Sequence, residues 1–359
     1  MKKCKFCERG NISMINLEKE IREQPAALAK VLGDNMPTVD AIVKEAKDSG
    51  VNGIYFAARG TSDHACVYAQ YLFAILAGLP CTLGTPSVFT KYGARVHLKG
   101  MLVIGVSQSG KAEDVLEVLK SANEEGAITV AVTNNLESPM AKTAKYHLFC
   151  DCGFEASIAA TKTFTTQMML LAAIAGKWSG NVQFLENLAN VHNKVAEFFD
   201  KNTAEIVELA KKYQNIPGAV ILGRGISYPI ALEGALKMLE TNKLKMKGYP
   251  TSDFHHGPIA QVKKNDLVFV ISPKGATEKD SADIIEKLLK EEADVLVVTN
   301  DAAQILPGTH GIVLPDTGCE LTSPFISVLF FQMLACQLTI VRGIDPDKAG
   351  TINKITITK

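Results

Sequence analysis

Set against itself with an offset of 165 positions, the sequence aligns Gly60 with Gly225 and "LVIGVSQSG" (Leu102 to Gly110) with "LVFVISPKG" (Leu267 to Gly275). The same offset carries Glu155 onto Glu320 and Gln167 onto Gln332, and at 166 "VAVTNN" meets "LVVTND". A register held through so many landmarks means two copies of one structural unit, and 359 residues are enough for two cores of ordinary domain size.

Each copy reads as strand, helix, strand, helix, strand, because short continuous Val/Ile/Leu runs alternate with longer segments of helical period such as "AEDVLEVLKSANEEG". Strands without a polar face belong to parallel sheets covered on both sides, so the fold class is α/β: two doubly wound parallel sheets flanked by helices. In such open sheets ligands bind beyond the carboxyl ends of the strands. Before the first copy, Leu17 to Leu32 and Val39 to Asp48 read as two helices, with Pro25 breaking or kinking the first. Between the copies, "NVQFLENLANVHNKVAEFFDKNTAEIVELAKKY" is one amphipathic helical stretch without Gly or Pro. The expected organisation is an N-terminal extension and helix over 1–36, a first domain over 37–190, a second over 191–345 and a tail over 346–359.

Acidic and basic residues balance at 38 each, which leaves no overall field to draw the chain onto nucleic acid or an anionic membrane and favours a small-molecule ligand. The N-terminus has charge but no apolar core of a signal peptide, and the longest greasy stretch, near Val328 to Val341, is interrupted by Gln332 and Gln337 and reads as too short to span a bilayer. A cytoplasmic protein is expected. Eight cysteines in a chain of this length, several within apolar segments (Cys66, Cys81, Cys336), fit reduced core thiols. Cys4 and Cys7 form a single CxxC without a second pair or nearby histidines, which reads as part of an extension rather than a zinc site. No ligand cluster or dinucleotide-type glycine pattern calls for a metal or organic cofactor.

Two bends carry the ligand-binding signal. "SQSG", Ser107 to Gly110, lies between an apolar strand and a helical pattern, and "ARGTSDHA" supplies a second bend with Thr61 and Ser62. A helix start presents unpaired N–H groups and partial positive charge, and hydroxyls with a glycine let a phosphate monoester come close. The alternative is that these residues are only N-caps, each contributing about 1 kcal/mol. The second copy has "SPKG" in place of "SQSG" while keeping the strand pattern, which favours one phosphate site, in the first copy.

Glu233, Lys237 and Glu240 stand at i, i+4 and i+7, on one face of the helix that follows the Gly-Arg-Gly bend at 223–225. Aldose–ketose chemistry needs a carboxylate next to a carbonyl, a task that suits Glu240. The same spacing also describes an ordinary solvated Glu–Lys pair. By the same measure, His256 beside Gly-Pro reads as a turn residue, and Lys354 near the C-terminus as an exposed one.

The ordered motifs "ARGTSDHA", "SQSG", "EASIAATKTFTTQ", "GRGISYPIALEGALKMLE", "HHGPIA" and "TINKITITK" resemble sugar isomerase (SIS) domain proteins over about residues 15–359. The arrangement is similar to the tandem domains of the isomerase half of glucosamine-6-phosphate synthase, which implies flavodoxin-like sheets. The resemblance implies that the phosphate of a hexose or amino sugar 6-phosphate rests on Ser62, Ser107, Gln108 and Ser109. The sugar would touch Thr61 and Ile158, with Arg59, Gly60 and Ala159 completing the substrate-binding set. It further implies that Glu240 shuttles a proton between C1 and C2, that His256 opens the ring, that Lys354 engages the open-chain carbonyl, and that Glu233 and Lys237 line the same region. In that family the histidine comes from the partner subunit, which implies a homodimer.

Departures from the synthase narrow the expectation. Fewer than twenty residues precede the resemblance, so the synthase's glutamine-hydrolysing domain is not expected here. "ARGTSDHA" and "AATK" look more like SIS-type glucosamine-6-phosphate deaminases, which implies conversion of glucosamine 6-phosphate and water to fructose 6-phosphate and ammonia. Lys111 and Ala112 replace the synthase's Glu-Thr, so charge from Lys111 stands in for a hydroxyl contact. Arg59 and Arg224 occupy matching places and are expected to pair across the seam between the domains. The alternatives are a fructosamine-6-phosphate deglycase or ketose–aldose isomerase, and a non-catalytic sugar-phosphate-binding regulator. Retention of Glu240, His256 and Lys354 together speaks against the regulator.

Overall fold

A computed structural model describes residues 15–347; Cys4, Cys7 and Lys354 lie outside them. The chain forms two compact units. The first comprises Gln24–Glu155 and Lys162–His192; the second, among the described residues, comprises 15–23, Ala156–Thr161 and 193–347.

The first unit is built on five parallel strands, β1 (Gly53–Ala57), β2 (Cys81–Leu83), β3 (Met101–Ser107), β4 (Ile128–Thr133) and β5 (Tyr146–Phe149), in the order β2-β1-β3-β4-β5. The second repeats it with β6 (Gly218–Gly223), β7 (Lys245–Pro250), β8 (Leu267–Ile271), β9 (Asp294–Thr299) and β10 (His310–Val313), in the order β7-β6-β8-β9-β10. Even the register repeats, with Phe56 opposite Ile104 and Leu222 opposite Val270. This is the flavodoxin-like order, in which the switch point lies between the first and third strands of each sheet. The α/β expectation holds. Each copy has five strands rather than three, because β2, β5, β7 and β10 are short or flanked by exposed and polar positions, so apolar runs pick out only the central strands.

The central strands are buried along almost their whole length. They are covered by helices that include Lys162–Ser179 in the first unit and Pro324–Val341 in the second, equivalent in the repeat and buried nearly all round. In the second, Phe330 and Phe331 meet edge-on with centroids 4.9 Å apart and both pack on Phe269; each fully buried ring contributes roughly 2–3 kcal/mol. The greasy stretch is longer than its sequence suggests. Glu320–Val341 has 22 residues and a mean hydropathy of 1.8, long and apolar enough by composition to cross a membrane, yet it is 89% buried inside the protein. It is a core helix.

The N-terminal helices also differ from expectation. They are Asn16–Arg22 and Gln24–Asp48, so the break falls at Glu23, and Pro25 sits in the first turn of the second helix, where its missing N–H is harmless. That helix continues through Pro37. Beside Pro37, Asn35 accepts from the Phe149 N–H at 3.0 Å and donates to its carbonyl at 2.9 Å, tying the helix to the edge of the sheet. The second unit repeats part of this tie: Asn202, on the 31-residue helix Val182–Lys212, donates to the Val313 carbonyl on β10 at 2.9 Å. The six described cysteines are all free.

Candidate functional site

At the switch point of the first sheet, β1 runs into a bend at Gly60, whose φ of +55° starts the helix Thr61–Leu72. Ser62 is buried at the first turn, Thr61 is half-buried beside it, and burial pushes the Asp63 carboxyl above its usual range against the pull of His64 and Arg59. Arg59 finds a carboxylate within its own unit. Its Nε lies 2.7 Å from Asp114 Oδ2 at the start of the helix Glu113–Glu124, within the same unit. The second unit does the same more loosely, with Arg224 Nε 3.5 Å from Asp280. Each arginine therefore ties its own bend to the helix following the third strand, a structural role carried out within its own unit.

The turn at the end of β3 is not a helix cap. The helix begins at Glu113 with Ala112 in the capping position and no side-chain cap, so Ser107 and Ser109 lie upstream of it. Within the turn, the Ser107 hydroxyl accepts from the Gly110 N–H at 3.2 Å and the Ser109 hydroxyl from the Lys111 N–H at 3.3 Å. Gly110 has φ +63°, and a Cβ there would stand 2.3 Å from the Ser138 hydroxyl, so both conformation and space demand glycine. Gln108 donates to Glu155 at 2.6 Å, and the buried Glu155 carboxylate also accepts from the Thr163 N–H at 3.2 Å and hydroxyl at 3.1 Å. Lys162, itself buried, donates to the Phe154 carbonyl at 2.7 Å. Lys111 is exposed at the rim.

In the second unit, the helix Tyr228–Asn242 buries its charged face. Lys237 Nζ lies 3.2 Å from Glu233 and 2.6 Å from Glu240, with side-chain exposures of 2% for the lysine, 0% for Glu233 and 19% for Glu240. The solvated-pair reading fails for this reason. Burial alone would lower the Lys237 pKa, but the two carboxylates outweigh it and hold the ammonium above the ordinary lysine range. Lys237 is thus held as a cation between the two carboxylates, and Glu240 is the one member of the trio with an edge in solvent. His256 sits exposed on the turn after the short helix Thr251–Phe254, and among the described residues no hydrogen bond or ion pair joins it to the trio.

Ile158 and Ala159 belong to the second unit through the segment Ala156–Thr161, Ile158 half-buried and Ala159 buried. The segment is fastened by Glu20, a buried carboxylate that accepts from the N–H of Ala156 and from the N–H and hydroxyl of Ser157. Sequence reasoning missed Glu20, Asp114 and the support role of Glu155. Only Glu155 left a signal, its match to Glu320 in the repeat. Among the described residues no group of three or more His, Cys, Asp or Glu could hold a metal ion.

The SIS domain model matches residues 49–176 and again 212–342. The chain belongs to the SIS domain family. Among curated relatives, the isomerizing glutamine–fructose-6-phosphate aminotransferase of Aquifex aeolicus is 35% identical over 355 residues, covering 98% of this chain and 59% of the relative. The chain spans about three fifths of the length of the curated relatives it matches. The C-terminal domain of glucosamine-fructose-6-phosphate aminotransferase from Francisella tularensis shares the fold with a TM-score of 0.83 at 23% identity, over 94% of this chain and 99% of that one. Glucosamine-6-phosphate deaminase from Thermotoga maritima does so with a TM-score of 0.77 at 24% identity, over 96% of this chain and 100% of that one. The SIS resemblance and the tandem α/β fold read from the sequence are borne out.

Proposed function

We propose that this chain is a sugar phosphate isomerase of the SIS family working as an amino sugar 6-phosphate deaminase, converting glucosamine 6-phosphate and water to fructose 6-phosphate and ammonia. The observation that carries the reading is the Glu233–Lys237–Glu240 trio: a buried Glu–Lys pair with a third, half-buried carboxylate on one helix face adds little net stability over an apolar set, and a proton-transfer role accounts for placing those charges there. In this reading the phosphate is held by Ser62, Ser107, Gln108 and Ser109, and the sugar by Thr61 and Ile158. Glu240 takes the proton from C2 of the open-chain aldose and returns it to C1, while the C1 oxygen gains a proton and the C2 amine gives one up, leaving a C1 hydroxyl and an imine at C2 that water hydrolyses to the ketone with release of ammonia. Lys237, 2.6 Å from Glu240, holds that carboxylate in place, and Glu233 balances the lysine charge. His256 opens the ring, from the partner subunit of a homodimer, and Lys354 engages the carbonyl. The departures "ARGTSDHA" and "AATK" support the deaminase over the synthase half-reaction, and buried free thiols suit a cytoplasmic enzyme.

The test is incubation with a panel of amino sugar 6-phosphates and fructosamine 6-phosphates, with ammonia, free amine and fructose 6-phosphate measured. Ammonia with fructose 6-phosphate from glucosamine 6-phosphate, abolished in Glu240→Gln while the sugar phosphate still protects against thermal unfolding, is the expected result. Free amine from fructosamine 6-phosphates instead would make the chain a deglycase, aldose–ketose exchange without ammonia a plain isomerase, and protection without turnover a regulator.

A further inference from the structure

The two copies put one glutamate to two uses. In the second copy, Glu320 accepts from the backbone N–H of Ala276 at 2.9 Å, Glu278 from that of Gly275 at 2.7 Å and Asn300 from that of Lys274 at 2.7 Å. Three successive donors of the turn are thus taken by the protein's own side chains, two of them carboxylates. In the first copy the equivalent Glu155 accepts from the side chain of Gln108 and from Thr163, and among the described residues no carboxylate takes a backbone N–H of Ser107–Lys111. The residue that differs at the head of the turn is Gln108, replaced by Pro273, which has no amide to offer a carboxylate.

We propose that Gln108 is a positioning residue, a latch that holds the Glu155 carboxylate off the turn and so keeps the turn open to an anion. This rests on the reading of Ser107–Gly110 as the phosphate site and assigns Gln108 a role besides any direct contact. Glu155 is 3% exposed, and a carboxylate that buried takes whichever donors are in reach. Without the Gln108 amide, the nearest precedent in the molecule is Glu320, whose carboxylate sits on the turn's backbone. A carboxylate in that seat consumes a donor and repels a phosphate dianion at close range.

The experiment is a double-mutant cycle, with inorganic phosphate binding measured by calorimetry for the wild type, Gln108→Ala, Glu155→Gln and the double variant. Loss of the latch is expected to weaken phosphate binding by at least about tenfold, and the double variant to recover most of that loss because the neutral amide no longer repels. A double variant as weak as Gln108→Ala overturns the proposal, leaving Gln108 as a direct contact only. If Ser107→Ala and Ser109→Ala leave phosphate binding unchanged, the phosphate reading fails instead. The latch is then decided by the crystal structure of Gln108→Ala: a Glu155 carboxylate on the Lys111 N–H supports it, and one that stays where it is, on Thr163 and off the turn, overturns it.

Discussion

In the first copy the helix after the Arg-Gly bend carries Tyr68 and Leu72, both fully buried, and the π-helical turn Phe73–Ala77 that continues it carries Ile75, 56% exposed. The second copy has Glu233, Lys237 and Glu240 at the corresponding positions, 165 residues on. The turns have diverged in the opposite sense: the first keeps hydroxyls on its own N–H groups, while the second fills its donors with Glu320, Glu278 and Asn300. What both copies share is architectural: the strand register, the bend glycines Gly60 and Gly225 with φ of +55° and +54°, and the arginine tied to the next helix. Residues that obey the repeat hold the scaffold, and residues that break it mark the candidate chemistry. Neither copy carries both a hydroxyl turn and a charged helix face.

The largest effect is expected from making the second helix resemble the first. Lys237→Met leaves the buried Glu233 and the half-buried Glu240 without their cation and is expected to destabilise by about 3–5 kcal/mol, measured by urea unfolding. The pH dependence follows from the sign of the shift. The Lys237 pKa is raised in the folded state, so its stabilisation is fully present below the unfolded lysine value of 10.5 and is lost as pH rises above it. Wild-type stability should therefore fall more steeply than that of the variant once pH rises above 10.5, and the two should run parallel below it; parallel slopes above 10.5 would mean the ammonium is not held by the carboxylates.

The turns come next. Gly110→Ala must hold a left-handed φ and displace Ser138, whose hydroxyl caps the neighbouring short helix at the Ala141 N–H. A loss of roughly 1–3 kcal/mol is expected, together with weaker thermal protection by inorganic phosphate. Unchanged protection would separate the turn's shape from phosphate binding.

How much of this was legible in the sequence follows from the same division. The central strands, the parallel sheets and the repeat were readable because burial on both faces forces continuous apolar runs. The edge strands were not, since a strand such as "KMKGYP" in β7 carries lysines and a glycine and gives no such run. The bends at Gly60 and Ser107 were found from local residue types. The burial of Glu233–Lys237–Glu240 could not be, because i,i+4 spacing is identical on a wet and a dry helix face. Glu20, 136 positions before Ala156, and Asp114, 55 after Arg59, act through long-range contacts that no local pattern reports.

The smallest expected effects test the shared part of the scaffold. Arg59 and Arg224 hold equivalent places, yet Asp114 is 3% exposed and Asp280 49%. Arg59→Ala leaves a buried carboxylate with one fewer donor and should cost about 1–2 kcal/mol, little affected by salt. Arg224→Ala breaks a 3.5 Å pair in solvent and should change stability by less than about 0.5 kcal/mol, with even that fading at high ionic strength. Equal losses in the two variants would mean that the arginines do the same work in both sheets whatever the burial of their partners. A larger loss for Arg224→Ala would place the tighter bend in the second copy and reverse the assignment of the first bend as the more firmly braced.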